Sequence, residues 1–344
     1  MTTSSDGGRN VTIAEIAALA GVSVPTVSKV LNGRADVAAG TRTRVEAILE
    51  EHSYRRRRGR GAGDPNLIDL VFNHIDNAWA QEVIKGVEDA AAARRVGVVL
   101  SELGGAHRPQ QELIDDILAR RPLGVLLVLS SLDATQRHQL ESRSIPFVVV
   151  DTFGEPPAGV PTVGSNNWNG GLIATRHLLS LGHRRVGVIA GPADVLCSRA
   201  RVDGYRSALE EAGIRPDPSL VRWGDFHVTG GYEHGLELLS RPDRPTAIFA
   251  GSDYQSLGVM RAVRELGLSI PGDVSVVGYD DIPLAQWLGP SLTTVRQPLR
   301  EMAGTATEMV LSLAAGQRPA NLRIDLATEL IVRESTAPAP AGTA

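Results

Sequence analysis

The sequence predicts an all-α head followed by a two-lobed α/β body: an N-terminal three-helix helix-turn-helix headpiece, then two parallel sheets covered by helices. Three observations lead there. Residues 11–54 carry helix–glycine–helix patterning with start and stop signals. After Pro65, continuous Val/Ile/Leu runs of strand length alternate with amphipathic stretches, and that alternation restarts near Pro161. Unbroken apolar runs mark strands buried on both faces, hence parallel sheets between helices. A restart marks a second, similar lobe.

Thr12 and Glu15 form a T-x-x-E capping box at the first helix start. Ile13, Ile16, Ala17 and Ala20 follow at helical spacing, and Gly21 can take the positive φ that stops the helix. Ser23 is a good N-cap for the second helix, and Pro25 sits in its first turn, where the missing N–H costs little. Val27, Val30 and Leu31 supply the buried face; Val24, Pro25, Thr26, Ser28, Lys29 and Asn32 supply the opposite one. Gly33 ends the helix. A third helix in TRTRVEAILEEHSY places Val45, Ile48, Leu49 and Tyr54 on one face and closes the domain. Two short helices joined by a glycine turn form a helix-turn-helix, whose second helix fits the major groove. Lys29 can reach guanine acceptors or a phosphate, and Val24 and Pro25 can touch thymine methyls. Ser23, Ser28 and Thr12 suit phosphate oxygens.

The body reads as strands LIDLVF, VGVVLS, GVLLVLS and PFVVVD, then RRVGVIAG, TAIFAGS and VSVVGYDD, separated by amphipathic stretches such as Ala80–Arg94 and Arg201–Ala212. A chain of 344 residues exceeds one ordinary core, and 42% hydrophobic with 22% charged residues is a globular composition. No run approaches the roughly 20 apolar residues of a membrane span. MTTSSDGGRN has neither a basic start nor an apolar stretch, so a cytoplasmic location is expected. Cys197, the single cysteine, cannot close an intramolecular disulfide. His177 and His183 lack metal-ligand spacing. No G-x-S-x-G, Walker or G-x-G-x-x-G pattern occurs. Adjacent Asp280 and Asp281 point apart, whereas glycoside hydrolysis needs two facing carboxylates. An enzyme, a metal and a cofactor are therefore not expected. The net charge of −4 hides an asymmetry: residues 1–63 hold ten Lys/Arg against six Asp/Glu, and the remainder 25 against 33. A basic head on an acidic body implies that the head alone meets a polyanion.

TIAEIAALAGVSVPTVSKVLNG…TRTRVEAILEEHSY resembles the DNA-binding headpiece of the lactose-repressor (LacI/GalR) family over residues 11–54, without a gap. The resemblance implies that Val24, Pro25 and Lys29 read bases, while Thr12, Ser23, Thr26, Ser28 and Asn32 hold the backbone. LSLGHRRVGVIAGP, RARVDGYRSALEEAGI and SVVGYDDIPLAQWLGPSLTTVRQP resemble that family's effector-binding core, itself similar to periplasmic sugar-binding proteins. This implies a core at 65–335, with lobe one at 65–160 and 292–318, lobe two at 161–291 and 319–335, and a cleft between them. Residues 336–344 read as a disordered tail.

Ligands of open parallel sheets sit beyond the carboxyl ends of the strands. The candidates there are Asn73, Trp79, Ser130, Asn167, Trp168, Phe226, Ser252 and Asp280, with Arg201 on a following helix. Flat rings with carboxylate, amide and guanidinium groups suit a sugar, whose C–H face stacks while its hydroxyls donate to Asp and accept from Arg. The resemblance implies that Arg201 and Asp280 grip the ligand and that Trp79 and Phe226 are its aromatic contacts. Ser252 stands where the family commonly has Asn. Trp79 and Trp168 also read as packing residues, and Asp253 and Asp281 as N-caps or turn formers.

Head and body are joined by an Arg/Gly-rich hinge linker, 55–64. In the family this segment typically begins with Pro-Asn, forms a helix on DNA and wedges a leucine into the minor groove. Here no leucine lies between Tyr54 and Leu67, and Gly59, Gly61 and Gly63 would each cost a helix about 1 kcal/mol. The linker is expected to be disordered without DNA and to grip phosphates or a narrow minor groove through Arg55, Arg56, Arg57 and Arg58. The whole reads as a repressor that binds a pseudo-palindromic duplex operator as a homodimer, with a small sugar as effector. A nucleobase corepressor, and a solute-binding protein without DNA function, are the alternatives.

Overall fold

The computed structural model describes residues 11–31, 37–52, 66–152 and 154–340. Asn32, Gly33, Tyr54 and the whole 55–64 linker, Arg55–Arg58 included, lie outside them.

The head holds α1 (Ile13–Ala20), α2 (Val24–Leu31) and α3 (Ala39–Glu51). The capping box forms as expected: Glu15 N–H donates to Thr12 Oγ1 at 3.3 Å, and Thr12 N–H donates to Glu15 Oε2 at 2.6 Å. Gly21 takes φ 63° and turns the chain, so that α1 and α2 meet at 98°. Thr26 N–H donates to the Ser23 hydroxyl at 3.3 Å, which caps α2. Ile16, Ala17, Ala20, Val27, Val30 and Val45 form the buried core, with Ile13, Ile48 and Leu49 against it.

The body contains two six-stranded sheets of identical order. The first comprises β1 (Leu67–Phe72), β2 (Gly97–Glu102), β3 (Val125–Val128), β4 (Phe147–Val150), β5 (Thr162–Ser165) and β11 (Arg323–Leu326), arranged β11-β5-β4-β3-β1-β2. The second comprises β6 (Val186–Ala190), β7 (Val221–Trp223), β8 (Ala247–Ala250), β9 (Ser275–Asp280), β10 (Thr293–Arg296) and β12 (Glu329–Ile331), arranged β12-β10-β9-β8-β6-β7. All pairs are parallel except β10 with β12. Helices cover both faces. α4 (Ala78–Ala93) packs on α11 (Leu299–Ala314) in lobe one, α7 (Asn167–Ser180) on α8 (Leu196–Glu211) and α9 (Val228–Leu239) on α10 (Asp253–Glu265) in lobe two. α5 (Gln111–Arg120) and α6 (Ala134–Ser142) complete lobe one. The α7–α8 contact is close enough that a Cβ on Gly171 would run into the Arg201 carbonyl, and one on Gly204 into the Trp168 carbonyl.

The lobe boundaries differ from those expected. β5 belongs to the first sheet, although it follows Pro161; β10 belongs to the second, and only α11 of the 292–318 stretch covers lobe one. Within 319–335, β11 joins the first sheet and β12 the second. The chain therefore crosses between lobes after β5, after β10 and after β11. TVGS, TTVR and RIDL are short and half polar, so they lack the apolar run that marks the inner strands. The tail is also corrected at residues 336–340. Ala337 C=O accepts from the Ser275 hydroxyl at 3.2 Å and lies 3.1 Å from His183 Nε2, and Ala339 N–H donates to Leu181 C=O at 2.8 Å. The segment carries few N–H groups, but its carbonyl satisfies a buried imidazole and so is held. Among the described residues no single helix is long and apolar enough to cross a membrane.

Candidate functional site

On the head, Ser23, Val24, Pro25 and Lys29 lie exposed on one side of α2, with Thr26 and Ser28 half-buried beside them and Thr12 exposed at the start of α1. The opposite side of α2 is the core face, so this surface is the one a groove can meet.

In the body, Arg201 projects from the second turn of α8 into the junction of the lobes and is 4% exposed. Its Nε donates to Asn167 Oδ1 at 2.8 Å, and Nη1 donates to the Gly251 carbonyl at 2.6 Å. The guanidinium lies 3.7 Å from the Tyr279 ring centroid and 5.5 Å from that of Phe226. Phe226, at φ 66°, lays its ring where a Cβ on Gly191 would stand, so a larger residue at 191 would displace that ring. Ser252 is the N-cap of α10: its hydroxyl accepts from Gln255 N–H at 3.0 Å and donates to the Phe226 carbonyl at 2.8 Å. It thereby positions Phe226 instead of offering a free hydroxyl.

Asp280 ends β9 and is buried. Gln297 Nε2 donates to it at 2.6 Å, and the Ser165 hydroxyl donates to Gln297 Oε1 at 2.6 Å. This chain of bonds runs from the first sheet through the second crossing to the second sheet. Burial pushes the Asp280 carboxyl up to about 7, against the pull of Arg201. Asp151, at the end of β4 with φ 47°, is likewise raised to about 6 by burial, again opposed by Arg201. Asp253 is raised by burial and then by the Asp280 charge; it accepts from Thr294 Oγ1 at 2.6 Å and Ile282 N–H at 2.8 Å, which is a structural role. Asp281 pairs with Arg296 at 2.8 Å and Arg333 at 2.6 Å, away from Arg201.

Lobe one presents its expected residues differently. Ser130 is 1% exposed and donates to Val128 C=O at 2.8 Å. Trp79 is half-buried and packs against the lobe-one core. Asn73 Nδ2 lies 3.1 Å from His107 Nδ1, while its buried Oδ1 has no protein partner. Trp168 is 44% exposed and, with Asn167, lines a cavity of about 160 Å³ that also includes Asp151, Cys197 and Asp325. The lobes touch directly elsewhere. Ala78 N–H donates to Tyr254 Oη at 2.9 Å, and the His74 and His227 rings meet edge-on with centroids 6.3 Å apart. Asp151, Ser165, Tyr279 and Gln297 were not picked out from the sequence. Asp151 carried the same signal as Asp280, a carboxylate ending an apolar run; the other three carried none. No group of His, Cys, Asp and Glu placed to hold a metal occurs among the described residues.

A short helix with an exposed polar face on the head, followed by two parallel-sheet lobes, defines a DNA-binding regulator. Family models agree: residues 12–57 match bacterial regulatory proteins of the lacI family, and 175–336 match a periplasmic binding protein-like domain. The HTH-type transcriptional repressor PurR of Escherichia coli is 34% identical over 334 residues, 96% of this chain and 98% of PurR. A solved complex of the transcriptional regulator CelR with cellobiose shares 34% identity, covers 94% of this chain and 99% of its own, and superposes with a TM-score of 0.72. The lac repressor dimer bound to operator and the anti-inducer ONPF shares 27% identity over 96% of this chain and all of its own, with a TM-score of 0.69. This chain belongs to the lacI family of bacterial regulatory proteins. The reading as a solute-binding protein without DNA function is set aside by the head.

Proposed function

We propose that the protein is a cytoplasmic, homodimeric repressor whose hold on a pseudo-palindromic operator is set by a small sugar bound between the lobes. The observation that carries this is the buried Arg201, whose charge acts on the buried Asp280, beside the lobe crossing where the Ser165–Gln297–Asp280 chain ties one sheet to the other. A ligand that engages Arg201 and Asp280 must disturb that chain, and with it the angle between the lobes. Asn73 Oδ1, buried without a partner, suits a ligand hydroxyl. A sugar is favoured by this acceptor-rich lining and by the cellobiose complex of CelR. A flat nucleobase acting as corepressor is the second reading, since the Phe226 ring beside Arg201 offers a stacking face.

The test is operator binding by the full chain to a duplex from its own upstream region, across a panel of sugars and nucleobases. A coupling of about 1–3 kcal/mol gives a change of roughly fivefold to 150-fold in DNA affinity. Binding that no member of the panel changes would defeat the reading. Replacing Arg55–Arg58 with Gln should lower the slope of log K against log salt by up to about four. An unchanged slope would remove the linker from the DNA contact.

A further inference from the structure

The cavity at the lobe crossings lies to one side of the Arg201–Asp280 grip. At about 160 Å³ it is smaller than the roughly 300–1,000 Å³ of a whole ligand site, so it accommodates one part of an effector. Asn167 links the two places, lining the cavity while its Oδ1 accepts from Arg201. Two carboxylates flank the bare Cα of Gly164: a Cβ there would lie 3.2 Å from Asp151 Oδ1 and 3.4 Å from Asp325 Oδ1. Asp151 is almost wholly buried. Trp168 keeps nearly half its surface exposed although it stands where the lobes meet. Arg323 on the rim is occupied by Asp325 at 3.3 Å and Glu155 at 3.8 Å. The lining thus offers acceptors and a flat apolar face, which match the hydroxyls and the C–H face of a sugar ring. Its acids oppose a carboxylated or phosphorylated ring.

We infer that this cavity is a second sugar-ring subsite, and that the effector is an uncharged oligosaccharide of at least two rings. One ring is gripped by Arg201 and Asp280; the next lies on Trp168 and donates hydroxyls to Asp151 and Asp325. The inference rests on the sugar reading above and narrows it to a class of sugar.

Calorimetric titration of the full chain with matched pairs tests it: glucose with cellobiose, xylose with xylobiose, galactose with lactose. In the unaltered protein at least one disaccharide should bind tenfold or more tightly than its monosaccharide. Trp168→Ala and Asp325→Asn should each bring that ratio close to one, and Trp168→Phe should restore most of it. Monosaccharides that bind as well as their disaccharides in every pair overturn the subsite and leave the Arg201 grip standing. So does a ratio unmoved by Trp168→Ala and Asp325→Asn. Absence of binding by every sugar overturns the sugar reading itself, and the subsite with it.

Discussion

The two lobes share one strand order, yet they furnish the cleft in opposite ways. Lobe two sets the Arg201 guanidinium over the Tyr279 ring and beside that of Phe226, with the Asp280 charge acting on it, and holds these groups through Asn167, Ser252 and Gln297. Lobe one packs Ser130 and Trp79 into itself, brings Asp151 to the cavity at the lobe crossings, and leaves the buried oxygen of Asn73 without a protein partner. A preorganised wall binds with little ordering cost, whereas a wall with unmet polar atoms gains most when a ligand arrives. Under the proposed function, lobe two is the anchor and lobe one the surface whose position a ligand changes.

The largest expected effect tests the anchor. Arg201→Met strips donors from Asn167 and Gly251 and leaves Asp280 and Asp151 without their cation. It should lower stability by about 3 kcal/mol and ligand affinity at least 100-fold, read by denaturant titration and calorimetry. Affinity near that of the unaltered protein would mean that Arg201 is only structural. Next come two glycines with similar packing roles in different lobes. Gly171→Ala forces α7 from α8 at the Arg201 carbonyl itself, and Gly86→Ala forces α4 from α11, where a Cβ would lie 2.6 Å from the Arg300 carbonyl. Each should cost about 1–3 kcal/mol. Only Gly171→Ala should also reduce ligand affinity, by tenfold or more; equal losses in both variants would erase the distinction between anchor and moving wall.

The pH dependence is smaller and has a defined sign. Asp280 near 7 and Asp151 near 6 hold protons in the folded chain that the unfolded chain releases near pH 4. Their contribution to stability is complete below about pH 4 and is lost as the pH rises through 6 to 7. Ligand hydroxyls donate best to the charged carboxylates, so ligand affinity should rise through the same window while the melting temperature of the free protein falls. Titrations from pH 5.5 to 8 that show constant affinity would place both carboxylates outside the contact.

The head was legible in the sequence because its signals are local: a capping box, a glycine at positive φ and an apolar face three or four residues apart. Arg201, Phe226 and Asp280 stand out as candidates through phrases resembling a known family. What escaped depends on chain crossings. β5, β10 and β11 are short and half polar, so no run of apolar residues announces them. Ser165 and Gln297 matter only because those strands place them between Asp280 and the opposite sheet. The packing of residues 336–340 escaped because a Pro/Ala segment looks featureless until His183 is seen beneath Ala337.

The smallest expected effect concerns Asn73, and it sharpens the comparison most directly. Its Nδ2 is engaged with His107, so Asn73→Ala removes one buried interaction while also removing an unmet acceptor. The two changes oppose each other in the free protein, and its stability should move by less than about 1 kcal/mol. In the bound protein only the loss remains, because the ligand hydroxyl has no acceptor to replace Oδ1. Ligand affinity should therefore fall by about fivefold, worth about 1 kcal/mol, while stability stays nearly constant. The opposite split, a destabilised protein with unchanged affinity, would show that Asn73 serves the lobe-one wall and that lobe two alone holds the ligand.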